Sequence, residues 1–183
     1  MHHRHPRGGW PGTFEDVAAA LDALPDLDGG AVDPARVALI GHSAGGQLAL
    51  WAAALSRTVR PAAAVSLAGV CDLGLAARLG LSNGAVAELL GGGPTERPEV
   101  YRRADPMALL PLGVPQLIVH GSADRHVPPE LSRRYAEAAG PEALLLELPG
   151  ADHFDVIDPA TPAWARTARE LARLLPPPDA TPA

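Results

Sequence analysis

Residues 37–55 read Val37-Ala38-Leu39-Ile40-Gly41-His42-Ser43-Ala44-Gly45-Gly46-Gln47-Leu48-Ala49-Leu50-Trp51-Ala52-Ala53-Ala54-Leu55. The first four residues are an apolar run of strand type, the last nine favour helix, and Gly-x-Ser-x-Gly stands between them. A strand that turns into a helix through this motif holds its serine in a sharp, strained turn with the hydroxyl presented at the strand's carboxyl end. The glycines give the spacing a steric cause, since neither Gly41 nor Gly45 carries the Cβ that would collide as strand and helix approach. By itself the motif also reads as a plain surface turn in a chain rich in Gly and Ala. Its strand-and-helix setting favours the presented nucleophile, Ser43.

A serine nucleophile needs a base to take its proton and a carboxylate to orient that base. Both follow in order. Residues 114–120 (Val-Pro-Gln-Leu-Ile-Val-His) read as a short buried strand, and the polar loop Gly121-Ser122-Ala123-Asp124-Arg125-His126-Val127-Pro128 places Asp124 at its carboxyl end. Residues 144–148 give another strand, and the loop after it, Pro149-Gly150-Ala151-Asp152-His153-Phe154-Asp155, carries His153. The chain order is therefore Ser43, Asp124, His153. Two alternatives stand beside it: Asp72, after the preceding strand, as a rival acid, and His126, on the loop of Asp124, as a rival base. His42 adjoins the nucleophile but should point away from its hydroxyl, as a packed residue or pocket wall.

The stretches Gly-His-Ser-Ala-Gly-Gly at 41–46, His-Gly-Ser-Ala-Asp-Arg-His-Val-Pro at 120–128 and Gly-Ala-Asp-His-Phe at 150–154 resemble those of the α/β-hydrolase superfamily. The likeness is to small esterases of the feruloyl/acetyl esterase and kynurenine formamidase kinds and to the prolyl oligopeptidase (S9) catalytic domain. It spans roughly residues 13–176. The resemblance implies a serine hydrolase with Ser43 as nucleophile, Asp124 as acid and His153 as base, acting on a small ester, amide or formamide through an acyl-enzyme. It implies no cofactor and no metal. Ala44, whose N–H opens the helix after the nucleophile, is implied as one oxyanion-hole donor. The family's second donor comes from a His-Gly-Gly type loop ahead of the nucleophile. Only 42 residues precede Ser43, and the Gly8-Gly9-Trp10-Pro11-Gly12 among them resembles the entry to the preceding helix, not that loop.

The fold expected is thus α/β, a partial α/β-hydrolase: a mostly parallel sheet with helices on both faces and the family's early strands missing. Short strands that are apolar throughout and alternate with helical segments point the same way. Helices are expected at residues 14–24, with Thr13 as cap, and at 44–55, 128–139 and 160–175. A further strand is expected at 62–68. Residues 70–114 exceed one crossover, with helical stretches at 73–79, 83–90 and 101–110. This segment reads either as a cap or lid whose leucines line an acyl pocket, or as ordinary crossover packing. Residues 1–12 read as a disordered or irregular N-terminus and 177–183 as a disordered tail after the proline run.

The chain has 183 residues, 47% of them apolar, which suits one domain with a sizeable core. A net charge of −6 leaves no basic stripe for nucleic acid. The 15 basic residues are all arginine, a coding bias and not an arginine site. Cys71 stands alone and reads as a small buried apolar residue. His2, His3 and His5 lack a carboxylate or thiol partner, so a solvated tail is favoured over a metal site. No apolar run approaches the ~18 residues of a membrane helix, and the default location is cytoplasmic. With the early strands missing, the strand at 37–40 becomes a sheet edge, which predicts aggregation, dimerisation through that edge or a need for a partner chain that supplies the absent strands. Beside the active serine hydrolase, the chain then also reads as a catalytically weak or inactive hydrolase remnant or as a module completed by such a partner.

Overall fold

Each of the four apolar runs forms a strand. A computed structural model describes residues 8–30, 32–56 and 58–175. In it β1 (Ala38–His42), β2 (Ala63–Leu67), β3 (Gln116–Gly121) and β4 (Ala143–Leu148) make one sheet in the order β1-β2-β3-β4. Every pairing is parallel, with Ile40 beside Val65, Val65 beside Leu117 and Leu117 beside Leu144. β1 is an edge, as its position in the chain predicts. It also runs two residues further than the apolar run, so that it delivers His42 directly to the turn at Ser43.

Among the described residues there are seven α-helices, α1 (Gly12–Asp22), α2 (Ala44–Leu55), α3 (Leu73–Arg78), α4 (Leu81–Leu90), α5 (Pro98–Ala104), α6 (Glu130–Ala139) and α7 (Pro162–Leu174), of which α2, α6 and α7 pack on the strands. Alternation along the strands sorts them onto two faces. Ala64 and Ile118 pack with Leu50 and Ala53 of α2 and Tyr135 and Ala139 of α6. The neighbouring residues Val65, Leu117 and Val119 face the other way, onto Trp164, Leu171 and Leu174 of α7. A third cluster joins α1 to α2, with Trp10, Phe14 and Trp51 stacked edge to face at successive centroid distances of 4.9 Å. Complete burial of an aromatic such as Phe14 stabilises the fold by about 1.5–3 kcal/mol.

Leu73, Val86, Leu90 and Tyr101 from the 70–114 segment are buried in this same cluster, whereas Leu79 is exposed. The segment differs from its sequence reading at two places, for backbone reasons. The helix expected at 101–110 stops at Ala104, because Pro106 disfavours helical dihedrals at the residue before it and Asp105 is extended (φ −81°, ψ 118°). A 3-10 turn, Pro106–Leu109, then restarts with Asp105 as its cap. At the start of α4, Ser82, Asn83 and Gly84 have positive φ, so regular helix begins after them.

The first helix begins earlier than Thr13 as a cap would allow. Thr13 lies inside α1, and its hydroxyl accepts from the Gly9 N–H at 3.0 Å. The Trp10 N–H bonds the Leu89 carbonyl at 2.8 Å and ties this entry to α4. Of the expected irregular N-terminus, residues 1–7, with His2, His3 and His5, lie outside the described residues, as does the tail at 177–183. Among the described residues no helix is long and apolar enough to cross a membrane.

Candidate active site

Ser43 links β1 to α2 with φ 55° and ψ −119°, a region that a residue with a Cβ enters only under strain. Its main chain is pinned: the N–H donates to Leu67 O at 2.9 Å, and its carbonyl accepts from Gly46 N at 3.0 Å and Val70 N at 3.2 Å. Serine is a favoured helix N-cap, yet here its side chain makes no capping bond. The hydroxyl is left for other work.

The glycine requirement differs in part from its sequence reading. A Cβ on Gly41 would run into the Gly45 carbonyl, as expected, but one on Gly45 would meet nothing within 4 Å. The second steric glycine is Gly46, where a Cβ would lie 2.6 Å from Ser66 Oγ and 3.0 Å from Gly69 Cα. α2 sits close over β2 because position 46 is bare.

Asp124 and His153 come from loops after adjacent strands, β3 and β4, and the two loops are laced together. Ser122 N bonds Leu148 O at 3.0 Å, Ala123 N bonds Ala151 O at 2.9 Å, and Ser122 Oγ accepts from Gly150 N at 2.9 Å. Gly121 makes the approach possible, since a Cβ there would collide with the Ala151 carbonyl. The turn at His153 is closed by Asp152 Oδ1, which accepts from Phe154 N at 2.8 Å and Asp155 N at 3.0 Å.

Across this seam His153 Nδ1 lies 2.6 Å from Asp124 Oδ2, with the residues only 5% and 7% exposed. Asp124 Oδ1 accepts from His126 N at 2.8 Å and Val127 N at 2.9 Å. Burial pushes the Asp124 carboxyl up, but the bonds from the Val127 N–H, the His153 ring and the His126 N–H together outweigh it and hold it below the usual carboxylate range. A carboxylate fixed in this way selects the Nδ1–H tautomer of His153 and leaves Nε2 as the basic nitrogen.

The side chains of the two rivals have other partners. Asp72 caps α3 through Leu75 N at 2.7 Å, and its other oxygen takes Arg134 Nε at 3.2 Å. His126 is exposed, its ring 5.1 Å from that of His153, and it meets Asp124 through its main chain. His42 Nε2 donates to the His153 carbonyl at 2.8 Å, with the two rings 4.4 Å apart. Burial pushes the His42 imidazole down. Phe154, 55% exposed, packs on the rings of His42, His126 and His153.

The sequence reading passed over His120. It is wholly buried in β3, its Nε2 donating to Val127 O at 2.9 Å and lying 3.2 Å from Asp124 Oδ2, while Nδ1 accepts from Ser132 Oγ at 2.7 Å. Burial pushes its imidazole down, so it stays neutral. Ser132, His120 and Asp124 thus form a second Ser-His-Asp contact. Ser132 and His120 are 0% exposed, however, and this one braces the carboxylate from inside the core. A polar ring directly after the apolar run Leu117-Ile118-Val119 was its sequence signal. Cys71 is sealed beside Ser66 at 3.3 Å, its thiol pushed up to about 12 by burial, which leaves it inert as a nucleophile.

With this geometry in place, the comparison with known proteins is decisive. Residues 9–172 match the prolyl oligopeptidase family. The chain belongs to that family. Among solved structures it is similar to a puromycin hydrolase, with 31% identity and a TM-score of 0.66 over 78% of this chain and 22% of the other. It is also similar to a puromycin-hydrolyzing peptidase of Mycobacterium tuberculosis, with 30% identity and a TM-score of 0.68 over 89% of this chain and 24% of the other. An esterase of Thermogutta terrifontis shares the fold at 24% identity and a TM-score of 0.70, covering 95% of this chain and 69% of that one. No curated protein matches. The chain therefore spans about a quarter of the length of the puromycin hydrolase and of the puromycin-hydrolyzing peptidase, and its four-stranded parallel sheet is a part of the α/β-hydrolase sheet.

Proposed function

We propose that the chain is a serine hydrolase acting on small carboxylic esters or amides, with Ser43 as nucleophile, His153 as general base and Asp124 as the orienting acid. One observation carries this reading: the buried His153–Asp124 pair at 2.6 Å, joined by His42 to the strained turn that presents Ser43. His153 Nε2 takes the Ser43 proton as Oγ attacks the carbonyl carbon. The tetrahedral oxyanion accepts from the Ala44 N–H at the start of α2. On collapse, the leaving group departs with the proton returned by His153, and water, activated by the same imidazole, releases the acid from the acyl-enzyme. The Asp124 carboxylate stays ionised throughout and stabilises the imidazolium.

A fluorophosphonate probe tests this assignment directly. Covalent label on Ser43, lost in Ser43→Ala and in His153→Ala, is the expected result. Label that persists in Ser43→Ala would put the nucleophile elsewhere.

The edge of the sheet supports a second element of the proposal, that β1 pairs with a second copy of the chain. Ile40, on the α7 face of β1, is 45% exposed, and an apolar groove of about 520 Å³ runs along the strand between Val17, Leu24, Leu39 and Leu48. An edge strand of this kind, without lysine or proline in it, presents unpaired main-chain groups to another strand.

A further inference from the structure

We infer that His42 is a positioning residue for the base, fixing the main chain of His153 relative to the nucleophile turn. It rests on the Ser43-His153-Asp124 reading above. A catalytic imidazole needs more than a carboxylate on its far nitrogen, because a ring held only at Nδ1 can still swing with its own backbone. The structure holds both ends. Asp124 takes the ring, and His42 takes the carbonyl of the same residue at 2.8 Å, across 111 positions of sequence.

The donor comes from a well-chosen place. His42 is the last residue of β1, so its Cα is fixed by pairing with β2 beside Leu67, and the next residue is Ser43. One side chain therefore ties the nucleophile's strand to the base's loop, and the spacing of Ser43 Oγ to His153 Nε2 is set by two rigid anchors. The two imidazoles pack at 4.4 Å with their planes inclined by 51°, which further limits rotation of His153.

The hydrogen bond also fixes the chemistry of His42. A carbonyl accepts only, so Nε2 carries the proton and Nδ1 is bare in the neutral ring. Burial, the largest influence, and the His153 ring push the His42 imidazole down, and together they outweigh the His153 carbonyl and the Asp124 carboxylate, which push it up. A neutral neighbour is what His153 requires as it becomes an imidazolium, since a second cation at 4.4 Å would oppose the proton transfer.

The test compares His42→Leu, which removes the donor, with His42→Gln, whose side-chain amide restores an N–H at similar reach. Hydrolysis of p-nitrophenyl acetate and the rate of fluorophosphonate labelling are read for both. Misplacement of a catalytic group by ~1 Å costs up to ~10² in rate. The expected result is a kcat lowered ~10- to 100-fold in His42→Leu at nearly unchanged KM, with most of the loss recovered in His42→Gln. If His42→Leu does not fold, His42→Phe, which keeps a ring against His153 and lacks the donor, carries the same expectation. A folded donor-less variant with kcat within twofold of the parent overturns the inference, and so does a folded His42→Gln that recovers nothing. A parent chain that takes no label at Ser43 overturns the triad reading and this inference with it, and the parent control distinguishes that failure from the others.

Discussion

His153 Nδ1 and Asp124 Oδ2 stand 2.6 Å apart across the seam between the loops that follow β3 and β4. The carboxylate that holds the ring also accepts two main-chain N–H groups, from His126 and Val127. Asp124→Asn replaces one acceptor by a donor and favours the wrong imidazole tautomer. The expected loss in kcat is about 10⁴-fold. Steady-state kinetics with an activated ester read it, and a loss under tenfold would remove Asp124 from the acid role.

Asp72 provides the contrast. Its two oxygens are committed to Leu75 N and Arg134 Nε, so Asp72→Ala should cost about 1 kcal/mol of stability through the lost α3 cap and leave the labelling rate of Ser43 within a few-fold of the parent. Chemical denaturation and probe kinetics on the same sample separate the two effects. A labelling defect larger than that of Asp124→Asn would exchange the two assignments.

His126 and His153 lie close in space but differ in attachment. Only His153 is buried on the carboxylate, whereas the His126 side chain is exposed and packs on Phe154. His153→Ala should abolish labelling, and His126→Ala should keep it within about threefold. The reverse pattern would make His126 the base.

These contrasts also show what the sequence could and could not convey. The four strands were legible because each is a short apolar run closed by Gly, Pro or a polar loop, and the Ser43, Asp124 and His153 positions because each follows a strand end. Two features depended on distance and were hidden. The second steric glycine is Gly46 and not Gly45, because what matters is how near α2 comes to Ser66 on β2. His120 braces Asp124 only because α6 folds back to place Ser132 on its other nitrogen. The break at Asp105, by contrast, was written locally in the proline that follows it.

Asp105 gives a prediction about pH. Burial pushes its carboxyl up to about 6, despite the main-chain bonds it accepts from Leu73, Gly74 and Met107. The native state thus keeps a proton that the unfolded chain releases near the ordinary value of 3.8, and the associated stability is present at low pH and lost as pH rises to about 6. The loss is of order 2–3 kcal/mol. His42 and His120, pushed down by burial, slope the other way over an overlapping range, so the readout is the difference between the parent and Asp105→Asn. The parent's stability advantage over the variant should shrink between pH 4 and pH 6.5 in urea titrations. An advantage that grows over that range would mean that the three N–H donors dominate and the carboxyl is ionised.

The last prediction concerns the open edge. Ile40 pairs with Val65 on the face that α7 covers further along the sheet, yet Ile40 itself stays 45% exposed. Outward main-chain groups and an apolar side chain on the same short strand favour pairing with another β1, and two copies related by a two-fold axis would join in antiparallel fashion through the same residues. Size-exclusion chromatography with light scattering should show a mass that rises above the monomer with concentration. Ile40→Lys places a charge on the edge, the device by which natural sheets avoid such pairing, and should shift the equilibrium toward monomer by at least tenfold in dissociation constant. A parent that remains monomeric at every concentration, or an Ile40→Lys variant that associates as strongly as the parent, would show that β1 is not the contact.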